Sequence, residues 1–278
     1  MSGSREWDAG TYDRVSGPQL AWGEEVVASI ELAGDERVVD AGCGSGRVSA
    51  LVLERLDRSR GGRLVCVDGS AAMVERARRR LGAGVDYIHS DLLDLELEEP
   101  ADVVLSTATF HWITDHDALF ARVFGWLRPG GRLRAQCGGE GNVRAFFALV
   151  DEVAAQPPYA TYLDGLGVSR YFAGASETRE RLERAGFAEV ATSLEPRDVH
   201  PEPSIDFLRA VCLGPHLDAL PESLREPFAE AVDERFRRDP VLHYVRLEIS
   251  AQRREPRAAE IDLPRQAALP PDPGGWGI

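Results

Sequence analysis

The chain has 278 residues, 44% of them hydrophobic, and its 32 basic against 46 acidic side chains leave a formal charge of −14. That balance disfavours nucleic acid and anionic membrane surfaces as partners, because like charges repel. There is no apolar run of about 18 residues to cross a membrane, and the N-terminal MSGSREWDAG lacks the apolar core of a secretion signal. The expectation is a cytoplasmic protein. Its four cysteines, Cys43, Cys66, Cys137 and Cys212, form no CxxC pair and read as reduced thiols, and its histidines form no HxxxH or HExxH metal pattern.

Residues 1–10 are expected to be mobile. Pro18 opens a helix over 18–33, with Leu20, Val27 and Ile30 on one apolar face and Gly34 as its stop; Gln19 and Trp22 lie inside it. The stretch VVDAGCGSGRVSAL (38–51) then reads as a buried strand, a glycine-rich turn and a helix. Gly42, Gly44 and Gly46 let the backbone take φ > 0 and let a ligand approach without a Cβ in the way. Asp40 ends the strand. A second strand, LVCVDGS (64–70), ends in Asp68 and Gly69, and Ser70 is placed to cap a helix over 71–81. A third, VDYIHSD (85–91), is followed by Asp91 and Leu92, and LLDLELEEP connects onward.

Val103–Ser106 forms a fourth strand, followed by Thr107-Ala108-Thr109-Phe110-His111-Trp112. A helix over 117–127 carries Leu119, Phe120, Val123 and Leu127 on one face, LRPGG turns, and Arg132–Cys137 is the fifth strand. Residues 138–175 interrupt the pattern with a helix near 143–155. A helix over 176–185, a strand over 187–196, helices over 204–213 and 222–238 and a strand over 241–249 follow. The tail from about residue 253 is rich in Pro, Arg and Ala and reads as flexible.

Three successive strands thus end in aspartate, on the edge of a parallel sheet where ligands bind. Three carboxylates there suit a ligand with a ribose and a cationic group and suit a pyrophosphate poorly. DAGCGSG, VDGS, SDLLDL and LRPGGRL, in that order, resemble the motifs of class I S-adenosyl-L-methionine (SAM)-dependent methyltransferases, over about residues 10–250. The resemblance implies an α/β, Rossmann-like, seven-stranded, mostly parallel sheet with helices on both faces. It implies one methyltransferase domain over 11–252, capped by 11–34, 138–175 and, as a further candidate, 200–238. SAM is the implied cofactor. Gly42, Gly44 and Gly46 would lie along its methionine part, Asp40 would orient the ammonium and Asp68, beside Gly69, would bind the ribose diol. Asp91 would accept from the adenine amino group, with Leu92 against the ring, and Thr107 ends the strand facing the methyl group.

The acceptor is less constrained. The chain lacks the Asn/Asp-Pro-Pro-aromatic motif of base and amide N-methyltransferases at 107–112. The plan is similar to trans-aconitate and juvenile-hormone-acid methyltransferases, which implies a small-molecule carboxylate acceptor held by Gln19 and Trp112. His111 is the alternative catalytic group, a base for a phenol or alcohol. An O-, N- or C-methyltransferase of natural-product tailoring and a non-catalytic SAM-binding module remain as alternatives.

Overall fold

The computed structural model describes residues 17–167, 170–202 and 204–255. Seven strands form one sheet in the order β3-β2-β1-β4-β5-β7-β6; six of them run in one direction, and β7 alone runs antiparallel, to both β5 and β6. The strands are β1 (Arg37–Ala41), β2 (Arg63–Asp68), β3 (Asp86–His89), β4 (Ala101–Thr107), β5 (Leu127–Gly138), β6 (Phe187–Val199) and β7 (Leu242–Arg253). Among the described residues, no helix is long and apolar enough to cross a membrane.

The period of two along each strand sorts side chains to two cores. Val38, Leu64, Cys66, Val103 and Leu105 pack under α1 (Gly17–Ala28), α2 (Arg47–Leu53) and α3 (Ala71–Leu81). Val39, Ala41, Val65, Val67 and Val104 face the other way, against Leu119, Phe120 and Val123 of α4 (His116–Trp126) and Leu182 of α7 (Ala175–Arg184). Ser70 caps α3 as expected, its hydroxyl accepting the Met73 N–H at 3.3 Å.

A third core joins α5 (Arg144–Ala154), α6 (Ala160–Leu163), α8 (Ser204–Phe207) with the π turn after it, α9 (Gly214–Ala219) and α10 (Glu222–Phe236). Trp22 from α1 and Tyr244 from β7 belong to it, their rings 5.1 Å apart.

Several boundaries differ from expectation. α1 stops at Ala28, not at residue 33, and Arg55 then binds the carbonyls of Val27 and Ile30. LRPGG is not a separate turn. It bulges inside β5, which pairs Ala101 with Leu127 and resumes at Val103 with Arg132. Pro129 offers no N–H to a ladder and Gly130 has φ +76°, so the pairing skips these residues. Helix 204–213 breaks at Phe207 into the π turn, and α6 and α9 were not foreseen because each is short and set by packing. Residues 1–10, to which mobility was assigned, lie outside the described residues, as does the expected flexible tail from residue 256 onward; at the start of that tail, Arg253 instead closes β7.

Candidate active site

The carboxyl ends of β3, β2, β1 and β4 stand side by side, and they carry most of the residues expected to hold the cofactor. After β1 the chain turns sharply: the N–H groups of Gly42 and Cys43 both donate to Val67 O, at 2.8 and 2.9 Å. Each glycine has its own reason. A Cβ on Gly42 would stand 2.1 Å from Thr109 Oγ1, and one on Gly46 would stand 3.1 Å from the Ala77 backbone of α3. At Gly44, φ +53°, nothing lies within 4 Å of a Cβ. Gly42 and Gly46 therefore permit packing, and Gly44 leaves room for a ligand. Arg80 of α3 clamps the turn by donating to Ser45 O at 2.5 Å and Ser45 Oγ at 2.8 Å.

Asp68 is half-buried and holds two N–H groups: Gly44's on Oδ2 at 2.9 Å and Ser70's on Oδ1 at 2.8 Å. Gly69 O is 3.0 Å from His89 Nε2. Asp40 shares a sheet face with Val38, under α2, and Ser49 Oγ donates to its Oδ2 at 2.6 Å. Its Oδ1 is buried without a hydrogen-bond partner. Burial raises its pKa to about 6, with Asp68's charge adding to the rise and the Ser49 hydrogen bond opposing it. A buried carboxylate oxygen without a donor fits a ligand's ammonium or a bridging water. Asp91 is exposed and its Oδ1 accepts the Leu93 N–H at 2.8 Å, whereas Leu92 is built into the core below. Thr107 ends β4, and Ala108 (φ 54°) turns the chain back so that Thr109 Oγ1 donates to Thr107 O at 3.0 Å.

His111 and Trp112 lie on a 3-10 turn beyond β4, their rings 5.1 Å apart. His111 Nδ1 accepts the Gly138 N–H at 3.2 Å, which leaves the proton on Nε2. Burial first, then the positive charges of Arg246 and Arg170, hold its pKa well below the ordinary value. A neutral imidazole with its acceptor nitrogen occupied is poorly placed to take a proton, which weighs against the base role. The Arg170 guanidinium lies 5.0 Å from the Trp112 ring centre. Gln19 is in the first turn of α1, one turn ahead of Trp22, and its side chain lies outside the described residues.

Sequence reading missed Thr109, Ser49, Arg80, Arg170, Gln136 and Arg246. Arg246 had a signal: in VLHYVRLEIS the alternation puts Tyr244, Arg246 and Glu248 on one face. Arg170 had none, because the segment bearing it is positioned only by tertiary packing.

The room at Gly44, the buried carboxylate oxygen of Asp40 and the half-buried carboxylate of Asp68 at the strand ends are compatible with the SAM cradle of a methyltransferase. The profile of the methyltransferase domain family matches residues 38–131. The chain is 32% identical to trans-aconitate 2-methyltransferase of Methylobacterium nodulans over 65% of its own length and 69% of that protein's. It is 28% identical to the trans-aconitate 2-methyltransferase of Acidovorax sp. (strain JS42) over 83% of its length and 88% of the relative's. Among solved structures, the YcgJ protein of Bacillus subtilis superposes with a TM-score of 0.58 at 16% identity, covering 86% of this chain and 99% of that one. Phosphoethanolamine N-methyltransferase 2 of Haemonchus contortus in complex with SAM gives 0.56 at 18%, covering 89% and 57%. The chain belongs to the class I SAM-dependent methyltransferases, and SAM is its methyl donor.

Proposed function

We propose that the enzyme methylates a carboxylate oxygen of a small-molecule acid. The observation that carries this is the state of His111, which is neutral, with Nδ1 on the Gly138 N–H and two guanidinium groups opposing its protonation. A phenol, alcohol or protonated amine must lose a proton to react, whereas a carboxylate is already ionised near neutral pH. The trans-aconitate methyltransferases that this chain resembles support the same class of acceptor.

Bound SAM supplies an electrophilic methyl carbon on a sulfonium. Asp40 receives the ammonium on its free oxygen and Asp68 the ribose diol, with Asp91 at the adenine end. Trp112, through its indole N–H, and Gln19, through its amide, orient the acceptor carboxylate without neutralising it. Aligning the two reactants supplies about 7–11 kcal/mol of the barrier reduction. The group built from α5, α6 and α8–α10, with α1, covers the acceptor and excludes water. We place the enzyme in the cytoplasm, where its four free, buried cysteines persist as thiols.

The test is an acceptor screen read by S-adenosylhomocysteine release, spanning mono- and polycarboxylic acids, trans-aconitate among them, together with phenols and amines. Turnover is expected with acids. Turnover confined to phenols or amines overturns the reading.

A further inference from the structure

The inward positions of α2 are Ser49 and Val52, one turn apart. They face an apolar core made of Val38, Leu64, Cys66, Val103 and Leu105. Val52 belongs there, but a hydroxyl in such a place costs free energy unless it finds a partner. Ser49 is 0% exposed, and its partner is Asp40, also 0% exposed, whose Oδ2 accepts from Ser49 Oγ at 2.6 Å. The bond occupies one oxygen of the carboxylate. The other, Oδ1, is the buried oxygen without a hydrogen-bond partner.

The rest of the surroundings work against the charge of Asp40. Burial opposes ionisation most, and Asp68 at the end of β2 adds its own repulsion. The thiol of Cys43 in the glycine turn is pushed well above its ordinary value by a hydrogen bond with Cys66 and by burial, so it brings no charge. The register partners of Asp40 are Cys66 on β2 and Leu105 on β4. Arg47 stands two residues from Ser49, about 200° around the helix. Arg80 of α3 goes to Ser45, and Glu24 and Glu25 of α1 are exposed. Among the influences on Asp40 from the described residues, the Ser49 hydroxyl alone favours the carboxylate form.

We propose that Ser49 is a positioning residue of the cofactor site: its hydroxyl keeps Asp40 ionised and fixed, with the second oxygen left for the ammonium of SAM. The inference rests on the reading of Asp40 as the ammonium acceptor and deepens it. A hydrogen bond to a charged acceptor is about twice as strong as a neutral one. A hydroxyl also donates without a charge of its own. An arginine or lysine in its place would form an ion pair with Asp40 and compete with the ligand's ammonium. Loss of the hydroxyl should therefore act on the charge state of Asp40, and its effect on binding should depend on pH. Mere loosening of the core would weaken binding alike at every pH.

The full-length protein is titrated by calorimetry with S-adenosylhomocysteine, which carries the same ammonium, from about pH 5 to about pH 8. Each variant is divided by wild type at the same pH, so that the ligand's own titration cancels. Ser49→Ala should displace the affinity step upward by about one pH unit, read as about fivefold weaker binding near pH 6 and less than about twofold near pH 8. Ser49→Thr, which keeps the hydroxyl, should restore the wild-type profile. In an Asp40→Asn background, Ser49→Ala should change affinity by the same factor at every pH. Carbon NMR of the Asp40 carboxyl, assigned by its loss in Asp40→Asn, should show the same upward displacement in the free protein. Tm is recorded alongside. If Ser49→Ala does not fold, Ser49→Cys, whose thiol is a weak donor, takes its place with a displacement in the same direction. A loss that is uniform with pH, or an unmoved NMR midpoint, overturns the proposal. If Asp40→Asn binds with the wild-type pH profile, the ammonium reading of Asp40 falls. Ser49 is then judged on the NMR midpoint alone: raised in Ser49→Ala, it still sets the charge of Asp40, and unchanged, its role falls as well.

Discussion

The carboxylate of Asp68 and the backbone N–H of Gly44 meet at 2.9 Å across 24 residues of chain. One side chain from the end of β2 therefore holds the glycine turn of β1 in place, and the same side chain is the one proposed to take the ribose diol. Removing it should harm both. Asp68→Ala is expected to weaken SAM binding about hundredfold or more, since two charge-assisted hydrogen bonds to a diol are worth about 1.5–3 kcal/mol each. It should also lower stability by about 1–2 kcal/mol, through the stranded N–H groups of Gly44 and Ser70. Calorimetry and urea unfolding measure the two losses separately. Unchanged SAM affinity in the variant would remove Asp68 from the binding site.

The glycines of the turn should separate in the same way. Gly42→Ala drives a Cβ to within 2.1 Å of Thr109 Oγ1 and is expected to destabilise the fold. Gly44→Ala meets no protein atom within 4 Å and carries only the left-handed backbone penalty, about 1–2 kcal/mol. Its Cβ enters the space assigned to the cofactor, so SAM binding should fail in a folded protein. Circular dichroism melts paired with SAM titrations give both quantities. A Gly44→Ala variant that binds SAM normally places the cofactor elsewhere.

In its proposed role toward the ammonium, Asp40 should make SAM affinity depend on pH. Burial raises its pKa from 3.8 to about 6 in the free protein, and only the ionised form attracts an ammonium. Affinity should climb as pH rises through about 6 and level off above it, and Asp40→Asn should flatten the step. Stability moves the opposite way. Because the folded pKa lies above the unfolded one, this group's contribution is full below 3.8 and is lost as pH rises through about 6. Asp40→Asn should accordingly raise Tm more on the alkaline side of that window than on the acid side. A pH step in SAM affinity that survives in Asp40→Asn belongs to another group.

The carboxylate reading makes His111 dispensable as a base. With an acid acceptor, Gln19→Ala and Trp112→Phe should each lower kcat/KM about tenfold, at about 1.4 kcal/mol per decade, and barely change SAM affinity. His111→Gln should keep measurable turnover and introduce no new pH dependence in kcat. The folded pKa of His111 is depressed, so its share of stability is present above the unfolded value and falls away as pH drops below it. Full activity in both the Gln19 and Trp112 variants, with a dead His111→Gln, replaces the clamp by base catalysis.

The cover predicts a pattern of amide exchange. α1, α5 and α6 should exchange more slowly when S-adenosylhomocysteine and an acid acceptor are both bound than with the nucleoside alone. Protection limited to the glycine turn and the strand ends would leave these helices outside the site.

The sequence determined the cofactor half of this protein. The turn Gly42–Gly46 and the aspartates 40, 68 and 91 each follow a strand recognisable from its own few residues, and their spacing fits βα units. Parallel strands then bring their ends together whatever covers them. Local chemistry also set the α3 cap at Ser70 and the two-face sorting of β1 and β4. The surroundings of His111 were decided by tertiary structure. Arg246 and Gln136 meet only because β7 enters antiparallel beside β5, a pairing between residues 110 apart. Arg170 arrives from a segment without periodicity, and the tautomer of His111 depends on the single N–H of Gly138. Strand register and long-range burial fix where these charges lie and how they titrate. Neither is encoded in the neighbours of any one residue, so the sequence could name the cofactor while leaving open which groups meet the acceptor.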